Sequence, residues 1–130
     1  NLKENIDKKK YKVGVIFNLD KHDKDGSHWV ALFINIKKKN IYYLDSYGEK
    51  IPKQINKFAN KVKKQANALN IGPFELHVSK KRHQFSDSEC GMYSLYFIIE
   101  MLKTDNFKKF TEKRIKDNYM KKLRKIYFNH

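Results

Sequence analysis

The sequence predicts an α+β fold, a small mostly antiparallel sheet packed against helices. Three observations lead there. Strand-like apolar runs fall in one block of the chain, between residues 11 and 47. Amphipathic or apolar stretches with helical spacing fall in others, over 51–69, 90–102 and 112–128. Two of the strand-like runs are separated only by "KKKN", a turn that suits antiparallel neighbours rather than a long crossover.

Taken in order, "YKVGVIFNL" (Tyr11 to Leu19) is rich in β-branched and aromatic residues and reads as a strand. The polar run "DKHDKDGS" follows as a loop. "HWVALFINI" (His28 to Ile36) and "IYYLDSY" (Ile41 to Tyr47) form a hairpin across the charged turn. With Ile41 as the first partner, Asp45 comes opposite Ala31 or Leu32. "IPKQINKFANKVKKQANAL" sets Ile51, Ile55, Phe58, Val62 and Leu69 on one helical stripe. Pro52 suits its first turn and "NIGP" ends it. "FELHV" (Phe74 to Val78) is a short strand. A polar approach loop, "SKKRHQFSDSE", then leads to a helix from Cys90 to Leu102, with Ser86, Asp87 and Ser88 as N-cap candidates. Glu112 to Phe128 reads as a closing helix with Ile115, Tyr119, Leu123 and Ile126 on one face.

The chain of 130 residues is expected to be one domain, 1–130, since 40% hydrophobic and 14% aromatic residues suffice for a core. It begins with Asn1 rather than Met, as an excised or trimmed domain would. A single cysteine makes no internal disulfide. The longest apolar stretch, Met92 to Leu102, is too short to cross a membrane, and the N-terminus has no hydrophobic signal core. A soluble, non-secreted intracellular protein without membrane contact, and a monomer, is the expectation. The net charge of +15 suits a polyanionic partner. Yet only Arg82, Arg114 and Arg124 among the 29 basic residues are arginines, and base reading leans on Arg forks. A solvated lysine coat explains the charge equally well. One Cys and scattered His offer no metal-ligand spacing, and the five glycines form no phosphate-binding cluster.

Cys90 has two readings. A lone cysteine is commonly an inert small hydrophobe, and Cys90 shares a helical stripe with Phe97 and Met101. In the first turn of a helix, however, unpaired N–H groups and the macrodipole favour the thiolate. Gly91 would leave room for a substrate backbone. A thiolate nucleophile needs a base and a group to orient it. Of five histidines, His22 and His130 read as solvated, His77 as a structural strand residue, and His83 as poorly held on a flexible loop. His28 opens a strand beside Trp29, and Asp45 ends the next, out of direct register; a bulge or twist must close the gap. Pattern alone leaves both readings open.

"SHW" leading a strand, "YYLDSYG" on the next, and Gln84 six residues before "CG" resemble the Ulp1/adenain type of cysteine protease. That group includes SUMO-deconjugating proteases, adenoviral proteinase and maturation proteases of large DNA viruses and virophages. The resemblance runs from His28 to Phe97 and more weakly through the C-terminal helix. It implies the Ulp1/adenain-like protease core, with His28 as general base, Asp45 as its orienting carboxylate, Cys90 as nucleophile and Gln84 as oxyanion donor. It also implies that Trp29 and Gly91 line a narrow substrate groove, with cleavage after Gly-Gly or Gly-X-Gly.

The chain is shorter than most of that group, and the expectation is that it lacks a clear N-terminal extension for recognising a folded ubiquitin-like protein. The resemblance therefore favours maturation of viral capsid or core precursors, in host cytoplasm, virus factory or virion, over removal of SUMO or ubiquitin-like tails. It implies no required cofactor. Because the adenoviral relatives use DNA as a cofactor, non-specific DNA binding and DNA activation are expected from the basic surface. The reading of another class is a non-catalytic, basic nucleic-acid-binding module in which Cys90 is structural.

Overall fold

The computed structural model describes residues 1–20, 27–86 and 88–128. Nine elements follow one another among them: α1 (Leu2–Asp7), β1 (Lys12–Asp20), β2 (Ser27–Asn35), β3 (Asn40–Leu44), α2 (Lys53–Ala68), β4 (Glu75–Val78), α3 (Cys90–Thr104), α4 (Lys108–Glu112) and α5 (Asp117–Phe128). The sheet order is β1-β2-β3-β4. β1, β2 and β3 run antiparallel, while β4 joins β3 in parallel through α2. A parallel neighbour needs such a crossover, and α2 is long enough to supply it.

Helices cover both faces of the sheet. Val30, Leu32, Ile34, Ile41 and Tyr43 pack with Ile55, Ala59, Val62 and Ala66 of α2. Ala31, Phe33, Tyr42 and Leu44 pack with Met92, Tyr93, Phe97 and Met101 of α3. The continuous apolar run of β2 follows from this, because a strand buried on both faces has no polar alternation. Gly14 lets α3 lie close, since a Cβ there would stand 2.7 Å from Cγ2 of Ile98. No helix among the described residues is long and apolar enough to cross a membrane.

The α+β architecture is the one expected, and five local readings are corrected. The buried stripe of α2 is Ile55, Ala59, Val62 and Ala66, whereas Leu69 caps the helix and is exposed. The third strand stops at Leu44, which pairs with Ala31, so Asp45 lies beyond the ladder and nearer His28 than expected. The four-residue turn lies one position earlier than expected, at residues 36–39, because Asn40 already pairs with Asn35.

The N-cap of α3 is Glu89, in left-handed backbone at φ 84°, with no side-chain cap bond; Ser86 donates instead to the Ser88 carbonyl. Asp87, with His22 and His130, lies outside the described residues. The closing helix breaks into α4 and α5 at residues 113–116. The Ile115 N–H goes to His83 Nδ1 at 2.8 Å, and its carbonyl meets Tyr93 Oη at 2.7 Å. On α5 the buried residues are Met120 and Leu123, while Tyr119 and Ile126 face solvent. Unforeseen α1 has a readable signal: the Asn1 side chain accepts from the Glu4 N–H at 2.9 Å, and Leu2 is buried in the core.

Phe97 lies where α3, the sheet and α4 meet, with ring centroids 4.9 Å from Phe110 and 6.1 Å from Phe107. Phe97→Ala should lower stability in urea titration by about 3–5 kcal/mol. A loss below about 1 kcal/mol would mean that the α3 side is not one packed unit.

Candidate active site

Three chain ends converge at one edge of the sheet: the start of β2, the end of β3 and the N-terminus of α3. His28 continues the alternation of Val30 and Leu32, and Asp45 that of Ile41 and Tyr43, so both point to the same side. His28 Nε2 lies 2.8 Å from Asp45 Oδ1, and both side chains are buried. The Asp45 oxygen also accepts the Tyr47 N–H at 2.8 Å.

Cys90 comes to this pair from the other element. The Trp29 N–H points at its sulfur over 3.5 Å. With Nε2 held by Asp45, Nδ1 is the ring nitrogen left for the thiol. Burial alone pulls the His28 imidazole down, but its hydrogen bonds to Asp45 and Cys90 outweigh burial and hold it up at about 9. Burial pushes the Cys90 thiol up, yet the His28 hydrogen bond, the Trp29 and Gly91 N–H groups and the imidazolium charge bring it below its ordinary 9.0. An uncapped first turn contributes, because no side chain claims the N–H that Gly91 turns to the sulfur.

The side chain of Gln84 is fully buried beside the same strand end. Its backbone N–H and that of His83 both donate to the Ser46 carbonyl at 2.8 Å. Ser46 Oγ donates to Gln84 Oε1 at 2.6 Å. Gln84 Nε2 faces Tyr47 Oη at 3.2 Å, the Ser86 carbonyl at 2.9 Å and the Ser88 carbonyl. Trp29 is 38% exposed, and a Cβ added to Gly91 would meet only its Cδ1, at 3.8 Å. A small side chain would therefore fit at Gly91.

His28, Asp45, Cys90, Trp29 and Gly91 meet at one place, and Gln84 reaches it through Ser46 and Tyr47. His77 is a strand histidine with a partner, Nε2 lying 3.0 Å from Asn40 Oδ1. The flexible-loop expectation for His83 is overturned. That residue is fully buried, donating from Nε2 to the Phe110 carbonyl at 2.7 Å and accepting at Nδ1. Burial lowers its pKa, so it is a neutral structural imidazole. Ser46 and Tyr47 were not singled out from the sequence. Their signal was their place in "LDSYG", directly after the carboxylate. Among the described residues no group of three or more His, Cys, Asp or Glu could hold a metal.

Known proteins share this arrangement of elements. Residues 2–130 match the family described as Ulp1 protease family, C-terminal catalytic domain. R355 of Acanthamoeba polyphaga mimivirus, a protein named for thiol-protease activity, is 34% identical over 122 residues, covering 91% of this chain and 39% of the relative. The SUMO-1 cysteine protease S273R of African swine fever virus is 34% identical over 113 residues, covering 85% and 41%. The chain thus spans about two fifths of the curated relatives it matches. The crystal structure of the ASFV pS273R protease superposes with a TM-score of 0.81 at 31% identity, over 92% of this chain and 45% of the other. The Chlamydia trachomatis effector Cdu1, solved bound to ubiquitin, shares the fold with a TM-score of 0.65 at 18% identity, over 91% and 61%.

The shifts of Cys90 and His28 bound a pH window. The thiolate forms below the ordinary thiol value of 9.0, and the imidazolium persists up to about 9. Iodoacetamide should alkylate Cys90 with a midpoint below 9.0. In His28→Ala the lowering contributions of the imidazole vanish while burial stays, so the midpoint should move upward. An unmoved midpoint would dissolve the pair.

Proposed function

Because the chain belongs to the Ulp1 protease family, C-terminal catalytic domain, we propose that it is a thiol endopeptidase with Cys90 as nucleophile. The observation that carries this is the buried His28–Asp45 pair at 2.8 Å, set against a thiol at a helix N-terminus. Cys90 thiolate attacks the scissile carbonyl, and negative charge builds on its oxygen. The Cys90 N–H and the Gln84 amide are the assigned donors to that oxyanion. The His28 imidazolium, oriented by Asp45, gives its proton to the leaving amine, and the neutral ring then takes one from the water that hydrolyses the thioester. Gln84 Nε2 has two protons for three protein acceptors, so oxyanion binding exchanges one of those bonds.

The exposed Trp29 beside Gly91 would wall a narrow groove, which favours small residues before the cut, of Gly-Gly or Gly-X-Gly type. We assign the substrates to structural precursor proteins of a virus, processed in host cytoplasm or virus factory and inside the particle, in line with the viral relatives. Removal of SUMO or ubiquitin-like tails is the second reading. It is supported by the SUMO-1 name of the swine fever relative and by the ubiquitin complex of a fold neighbour. The charge of +15 supports non-specific DNA binding by the monomer, with DNA as an activator and no other cofactor.

Turnover of a fluorogenic Gly-Gly peptide tests the roles. Cys90→Ala and His28→Ala should each reduce kcat by about a thousandfold or more. Asp45→Asn should cost less than His28→Ala, because the imidazole remains; an equal loss would give Asp45 more than an orienting part. Gln84→Ala should lower kcat by on the order of a hundredfold with little change in KM. Wild-type rates in His28→Ala would overturn the mechanism.

A further inference from the structure

We infer that Tyr47 is a positioning residue that ties the base of the site to its oxyanion donor. This deepens the reading above and rests on it. Tyr47 is joined to the base through its backbone: its N–H donates to Asp45 Oδ1 at 2.8 Å, the oxygen that also holds His28 Nε2. Its ring lies against the imidazole, with centroids 5.0 Å apart and planes at 36°. The far end of the same side chain reaches the donor. Tyr47 Oη donates to the Ser86 carbonyl at 3.0 Å and accepts from Gln84 Nε2 at 3.2 Å.

The phenol has one proton, and Ser86 takes it. Tyr47 therefore presents only lone pairs to Gln84, which demands an N–H there. An amide turned end for end would aim Oε1 at the phenol and at the Ser86 and Ser88 carbonyls, acceptor against acceptor. Ser46 Oγ holds the other end, at 2.6 Å from Oε1. Tyr47 and Ser46, adjacent in sequence, thus fix both ends of the Gln84 amide relative to Asp45. When one Gln84 proton passes to an oxyanion, the phenol keeps the other end of the NH2 group in place. Its anchor is the strand end that carries the carboxylate, so base and donor stay in one frame.

Two reactions of Cys90 separate this role from a merely structural one. Acylation by p-nitrophenyl acetate passes through an oxyanion: the thiolate adds to the acetyl carbonyl, a C–S bond forms, and p-nitrophenolate leaves with the C–O electron pair. Alkylation by iodoacetamide displaces iodide at a saturated carbon and forms no oxyanion. Tyr47→Phe, which keeps the ring and the backbone N–H, should slow acylation by on the order of tenfold, the weight of one hydrogen bond. It should leave the alkylation rate and its pH midpoint unchanged. In a Gln84→Ala background the same substitution should slow acylation no further. Ser46→Ala, which frees the other end of the amide, should act in the same direction as Tyr47→Phe. Equal losses in both reactions, or a full extra loss in the Gln84→Ala background, would overturn the inference. So would wild-type acylation in Tyr47→Phe where Gln84→Ala is slow. Wild-type acylation in Gln84→Ala would instead remove the oxyanion role of Gln84 on which the inference stands.

Discussion

The carboxylate of Asp45 is the constraint around which this end of the molecule is built. It is almost wholly buried, and a buried carboxylate is tolerated only when paired and hydrogen-bonded. His28 and the Tyr47 N–H provide for one oxygen. Removing one partner of such a pair leaves an uncompensated charge, at a cost of about 3–5 kcal/mol. The pairing therefore dictates where β3 must stop. Were the ladder to continue past Leu44, the Tyr47 N–H would be spent along the sheet rather than turned back on Asp45. The chain turns instead, and the Ser46 carbonyl becomes free to receive the N–H groups of His83 and Gln84. One short segment thus supports the imidazole on one side and the loop leading to Cys90 on the other.

The thiol is brought to that pair by packing rather than by local sequence. Phe33 on the sheet and Phe97 on α3 are both fully buried in the same core cluster, which fixes the height of the helix against β2. At that height its first residue meets the Trp29 N–H and the His28 ring. Gly14, four residues before Asn18, whose strand partner is Trp29, keeps the far part of the helix close to the edge strand. The shifts of His28 and Cys90 follow from the contacts this placement creates. Burial works against both charged forms; Asp45 and then Cys90 outweigh it for His28, and His28 with the Trp29 and Gly91 N–H groups outweighs it for Cys90. Neither residue would hold its charge at that depth alone.

How much of this was legible depends on the range of the interaction responsible. The strands, α2 and α3 could be read because their patterns are local, and the order of "SHW", "LDS", Gln84 and "CG" marked residues that the fold brings to one edge of the sheet. The register of the hairpin was misjudged because Asn40 looks like turn and behaves as strand. The break between α4 and α5 had no local signal. It exists because His83 and Tyr93, more than twenty residues away in sequence, capture both backbone groups of Ile115. The same long-range contact turns His83 from an apparent loop residue into the support of the segment before Gln84. Ser46 and Tyr47 escaped notice for a related reason: a serine and a tyrosine after a strand signal nothing until Gln84 is placed opposite them.

The distribution of arginine carries the argument one step further. The basic residues are overwhelmingly lysine, yet each of the three arginines touches the run from His83 to Glu89. Arg82 donates from Nε to the Gln84 carbonyl at 2.9 Å and lies over the rings of Tyr47 and Phe85. Arg114 donates to the His83 carbonyl at 2.8 Å and covers Phe85, with Cζ 4.2 Å from its centroid. Arg124 pairs at 3.0 Å with the buried carboxylate of Glu89, directly before Cys90. Arg82 and Arg114 combine stacking on a ring with directed donation to a carbonyl, which a planar guanidinium with its fixed fork of donors suits. Elsewhere lysine serves, as where Lys38 pairs with Asp105 at 2.6 Å and Lys109 with Glu100 at 3.3 Å. Where the chain must hold a loop still between an amide and a thiol, the requirement for geometry overrides the compositional bias.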